Sequence, residues 1–118
     1  MPSDIQSVAA PQGKRYAPGP LSLSLAKGQA DRMEALLAHM QRNGHANATA
    51  RELCQAYERT YADGETGGRM FPHTGMARMN NLEAAGRVVC DRDNKRICTV
   101  TGERVQVYSL PLQQVDWL

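Results

Sequence analysis

Aromatic residues are scarce: Phe71, Trp117, Tyr16, Tyr57, Tyr61 and Tyr108 are all there are in 118 residues. A core with so few rings must be aliphatic, filled by Leu, Val and Met, and a chain of this length has room for one modest core. Long apolar runs are missing too. None approaches the roughly 18 residues of a membrane span, and the N-terminus lacks the basic-then-apolar order of a secretory signal. The expectation is a cytoplasmic protein with no membrane partner. Cysteine is limited to Cys54, Cys90 and Cys98, an odd number with no C-x-x-C pair, which argues against a disulfide framework and a zinc site. His39, His45 and His73 are scattered elsewhere without ligand spacing, so no metal and no cofactor is expected.

A strong charge excess is also lacking, since 14 basic residues meet 12 acidic ones for a net charge of +2. The distribution says more than the sum. Residues 1–68 are balanced, whereas residues 69–104 hold seven cations (Arg69, Arg78, Arg87, Arg92, Lys95, Arg96, Arg104) against four carboxylates. Such a local excess is either a solvated face or an anion-binding one.

Residues 1–25 contain four of the six prolines, with Ser, Gln and Gly between them, a composition that cannot bury enough apolar surface to offset ordering entropy. They read as a flexible N-terminal arm. Leu21, Leu23 and Leu25 alternate with serine as a short strand or as an apolar edge that docks the arm. Residues 26–112 form the folded domain and residues 113–118 a C-terminal tail.

Within the domain, Met33, Leu36, Leu37 and Met40 fall at helical spacing, and Asn43-Gly44 supplies a stop. A second helix starts at Thr49, where Thr49-x-x-Glu52 has capping-box spacing; Leu53, Ala56, Tyr57 and Tyr61 give its inward stripe. The polar, glycine-rich run Ala62 to Gly68 is a loop. Pro72 then opens a third helix, with Met76, Met79 and Leu82 on its inward face, ending at Ala85-Gly86. Beyond Gly86 the period changes to two. Arg87 to Cys90 and Arg96 to Val100 flank Asp93-Asn94-Lys95, a hairpin turn signal, and Val105 to Leu110 makes an additional strand. A three-residue turn places Cys90 opposite Cys98, and a two-residue turn places it opposite Ile97.

Three helices followed by a hairpin and a short strand is an α+β order. With the phrases Leu82-Glu83-Ala84-Ala85-Gly86-Arg87-Val88-Val89 and Thr101-Gly102 before Val105-Gln106-Val107-Tyr108, the chain resembles the small winged helix-turn-helix proteins of bacterial and prophage genomes. The resemblance covers roughly residues 30–110. It implies a sequence-specific binder of double-stranded DNA, a small transcriptional regulator, with helix three in the major groove and the wing on the backbone. With the methionines of that helix inward, Thr74, Ala77, Arg78 and Asn81 lie on its outer face; arginine suits guanine and asparagine suits adenine. Arg92, Lys95 and Arg96 surround the expected wing tip and would hold phosphates.

One departure from the family pattern stands out. About ten residues, Ala62 to Phe71, separate helices two and three, where a conventional turn needs three or four. That insertion either carries Arg69 and His73 toward a phosphate or shifts helix three out of the groove-reading pose. The rival expectation is a winged-helix protein-interaction module or inhibitor, with Trp117 packing on the domain or anchoring a partner. A homodimer is expected in the DNA-binding case, through helix one, the arm or Trp117. No catalytic residue is expected: Glu52 and Glu58 look like solvated helix positions, Asp91 and Asp93 like turn residues, and only nearness in number links Cys54 to His45.

Overall fold

A computed structural model describes residues 20–61 and 68–111. Most of the proposed arm, residues 62–67 of the glycine-rich loop and the tail with Trp117 lie outside the described residues. The first helix, α1 (Gln29–Arg42), buries the continuous stretch Met33 to Ala38. Asp31 in its first turn and His39 and Arg42 in its last complement the helix dipole. Asn43-Gly44 ends it as the sequence implies. Gly44 takes φ +98, its amide donates to the Gln41 carbonyl, and the His45 amide donates to the Met40 carbonyl, the paired bonds of a Schellman stop.

The second helix, α2 (Ala50–Thr60), carries the expected capping box. Thr49 Oγ1 accepts from the Glu52 amide at 3.1 Å, and Glu52 Oε1 accepts from the Thr49 amide at 3.1 Å. The third helix, α3 (Pro72–Ala84), has Pro72 in its first turn, where the missing amide costs nothing. Its inward face is Gly75, Met79 and Leu82, while Met76 is 38% exposed. The stripe is therefore rotated from the expected one. Gly75 presses against Cys54 of α2, so closely that a Cβ at this position would overlap the thiol, and this contact sets the rotation of α3 on its neighbour.

The segment before α1 is not a strand. The Leu25 and Ala26 amides both donate to the Ser22 carbonyl, making a turn that leaves Leu21 and Leu25 exposed and Leu23 against the core. Tyr61 donates to the Leu23 carbonyl at 2.7 Å, which fastens this turn to the end of α2.

The sheet differs from the expected hairpin plus extra strand. Val89–Ile97 is one strand, β1, antiparallel to β2 (Arg104–Ser109), and the reversal lies at residues 98–103. There the Gly102 amide closes on the Cys98 carbonyl and Gly102 adopts φ +77, which the Thr101-Gly102 dipeptide supplies. Asp93-Asn94-Lys95 does turn, because the Asp91 carboxylate accepts from the Asp93 and Asn94 amides. The turn is nonetheless an excursion within β1. Asp91 pairs with Val107 and Arg96 with Val105, so four residues of β1 stand against Gln106 alone. In consequence Cys90 faces Tyr108, and neither Cys98 nor Ile97.

Ala48, between α1 and α2, exchanges both backbone bonds with Tyr108 and adds a one-residue bridge to the free side of β2. Each helix packs on the other two. The core is not the aliphatic one expected: Tyr57 and Tyr108 are the largest side chains fully removed from water, packed with Met33, Leu37, Leu53 and Met79, so half of the few aromatic rings, Tyr61 included, are spent in the core. The architecture is α+β, three helices and a two-stranded antiparallel sheet, compatible with a winged helix. No helix among the described residues is long and apolar enough to cross a membrane.

Candidate nucleic-acid interface

With Gly75, Met79 and Leu82 inward, 100° per residue places His73, Ala77 and Ala84 along the centre of the outer face of α3, flanked by Asn80 on one side and Asn81 on the other. All five are exposed. Arg78 borders the strip on the α1 side, half-buried, with Nε donating to Gln29 Oε1 at 3.0 Å. Thr74 is half-buried on the same border. On the other border lies the sheet: Met76 sulfur accepts from the buried Tyr108 hydroxyl at 3.4 Å, and Glu83 meets Arg92 of β1. The strip thus runs between α1 and the sheet.

Asn80 is the residue missed by the sequence reading. A helical wheel phased on Met76 turns Asn80 aside, whereas one phased on Gly75 brings it as near the centre of the outer face as Asn81. Small residues carry little hydrophobic signal, so the pattern alone gave Gly75 no weight. At the N-terminal end, Phe71 is 52% exposed and its ring lies nearly parallel to that of His73, 12° apart in plane with centroids 6.2 Å apart. Arg69 is exposed just before them.

Of the three cations expected at the wing tip, two are occupied and none is at the tip. Arg92 forks onto Glu83 through bonds of 2.8 and 2.9 Å, which clips the β1 excursion to the end of α3. The bond to Arg92 holds the Glu83 carboxyl below its ordinary value, against a weaker desolvation effect. Arg96 is half-buried. It forks onto Glu52 at 2.6 and 2.9 Å and donates to Asn47 Oδ1 at 2.9 Å. Lys95 is exposed. The reversal itself, Thr99 to Glu103, contains no cation.

Glu52 is likewise not the solvated helix carboxylate expected. At 8% exposure it accepts from Arg96, the Thr49 amide, the Thr99 amide at 2.8 Å and the Thr99 hydroxyl at 3.0 Å. Burial pushes its carboxyl up, but the Arg96 guanidinium and these donors outweigh burial and bring it down to about 2. The node joins the start of α2 to the root of the hairpin, and Thr49 Oγ1 also lies 3.1 Å from the buried Cys98 sulfur. A second buried acid, Glu34 of α1, takes both arms of Arg87 at 2.7 and 2.9 Å just before β1. Glu58, by contrast, is exposed and accepts from the Met70 amide.

Cys54 is packed under Gly75, and burial raises its thiol, while His45 is exposed beyond the end of α1. Among the described residues no three His, Cys, Asp or Glu side chains converge as metal ligands would. The arrangement offers hydrogen-bonding amides, an imidazole and cations on one face, groups suited to contacting a polar, anionic surface. No protein family, curated protein or solved structure matches the chain.

Proposed function

We propose that the chain is a winged helix-turn-helix protein that binds double-stranded DNA sequence-specifically, as a small transcriptional regulator of the bacterial and prophage kind. The observation that carries this reading is the outer strip of α3. It presents His73, Ala77, Asn80 and Asn81 between two framing elements, and the one carboxylate of the helix, Glu83, is already neutralised by Arg92. A major groove admits such a helix, and asparagine pairs with adenine through two bonds. Arg78, on the border, can exchange Gln29 for guanine, and Arg69 lies exposed before the helix to meet a phosphate. The bridge of Ala48 to Tyr108 supports the same reading, since it makes the hairpin part of the helical body.

A module this small offers a limited interface, so a homodimer on two half-sites is the form proposed. Selection of bound sequences from a random duplex pool at near-physiological salt tests the proposal. Enrichment of one motif is expected, with Asn80→Ala and Arg78→Ala each weakening it by about 1–3 kcal/mol if they make bidentate base contacts. A pool that enriches nothing, with both variants indistinguishable from wild type, refutes it. The second reading, a protein-interaction module, draws on the exposure of Phe71 and Met76 at one end of the same helix.

A further inference from the structure

Four cations stand on the hairpin, Arg92, Lys95, Arg96 and Arg104, and they differ in what they meet. Arg92 and Arg96 are each held by a carboxylate fork. Lys95 and Arg104 are exposed, and among the described residues neither has a carboxylate within ion-pair distance. They are also neighbours. Arg104 is the register partner of Ile97, and its Nη1 donates to the Lys95 carbonyl at 3.4 Å, drawing the guanidinium onto the β1 excursion. The excursion is in turn clipped to the C-terminal end of α3 by Arg92 and Glu83. Two exposed cations without an ion-pair partner are therefore gathered on the hairpin flank, where their mutual repulsion favours an added anion even with the exposed carboxylates Asp93 and Glu103 nearby in the chain. The hairpin reversal cannot do this work, because its charged residue is Glu103.

We infer that Lys95 and Arg104 form a seat for successive phosphates of the DNA backbone, on the flank of the hairpin and not at its tip. The seat rests on the duplex-binding reading above. It assigns Arg104 a role that the sequence pattern did not suggest, and it assigns Arg92 and Arg96 to holding the hairpin in place. Phosphate contacts are independent of sequence, so mixed-sequence duplex DNA is a sufficient probe. Binding of the full chain is followed by fluorescence anisotropy over a salt series, for wild type, Lys95→Gln, Arg104→Gln and the double variant. Arg59→Gln, which removes the same charge from α2, serves as the control.

The slope of log affinity against log salt should become shallower by about one for each single variant and about two for the double, while Arg59→Gln keeps the wild-type slope. A double variant with the wild-type slope, or a control that loses as much as either single variant, overturns the seat while leaving DNA binding intact. A wild-type chain that binds no duplex overturns the DNA reading and the seat with it.

Discussion

Lowering the pH should loosen the hairpin from α2 within a defined window, because Glu52 must stay ionised to hold Arg96. In the folded chain its carboxyl titrates at about 2, against an ordinary 4.5. A carboxylate with a depressed folded pKa contributes stability that is fully present above the unfolded value and lost as pH falls through the folded one. Here that window runs from about 4.5 down to about 2. The difference corresponds to a ceiling of about 3 kcal/mol at neutral pH, a large share of the 5–15 kcal/mol that holds a small domain together. Urea unfolding followed by far-ultraviolet circular dichroism across this window measures it, and Glu52→Gln isolates it from the half-buried carboxylates Glu83 and Asp91, which are also held low. The wild-type advantage over Glu52→Gln should shrink as pH falls through the window.

Arg96→Met perturbs the same node from the other side. It strands a carboxylate at 8% exposure, so about 3 kcal/mol should be lost, and the double variant should cost clearly less than the two singles together. Two results would refute the reasoning. One is a pair of wild-type and Glu52→Gln profiles that run parallel through the window. The other is a coupling energy under about 1 kcal/mol, the value of an ordinary surface pair.

Gly75→Ala should destabilise by about 1–3 kcal/mol despite alanine's helix propensity, and Cys54→Ala should rescue much of the loss in the double variant by opening the space the new methyl needs; equal effects with and without Cys54 in thermal melts would rule out the clash. Thr49→Ala should cost about 1 kcal/mol in urea unfolding, while Thr49→Ser, which keeps the accepting oxygen, should restore most of it. Arg87→Ala should lower the thermal midpoint far more than Arg92→Ala. Both arginines form forks, but the Glu34 side chain is 4% exposed and the Glu83 side chain 30%, so only the first leaves a buried charge stranded.

Features governed by neighbours in sequence were legible from the chain alone. The Thr49 capping box, the Asn43-Gly44 and Ala85-Gly86 stops and Pro72 at the start of α3 are local chemistry, and each is present where the residues imply it. The hairpin was misassigned because two turn signals compete. Asp93-Asn94-Lys95 and Thr101-Gly102 both turn, and the choice of which reverses the strand depends on pairing with Val105 and Val107 across the sheet. The rotation of α3 was hidden for a similar reason: a glycine has no hydrophobic weight until Cys54 is known to lie opposite it.

The charge pattern shows the same limit and has a consequence for function. Seven cations between residues 69 and 104 look alike in the sequence, yet Arg87, Arg92 and Arg96 are matched with Glu34, Glu83 and Glu52, all but one of them on helices that precede α3. Distance along the chain concealed these pairs. Once they are removed from the tally, Arg69, Arg78, Lys95 and Arg104 remain without a carboxylate partner among the described residues. Arg69 and Arg78 accompany α3, and Lys95 and Arg104 adjoin each other on the hairpin. In that segment the four remaining cations stand against Asp91, Asp93 and Glu103, so a nucleic-acid face rests on where these cations lie and not on the local charge excess or the net charge of +2. With so few free cations per subunit, the salt dependence of one chain should be shallow, which makes affinity depend on base contacts along α3 and on a second subunit.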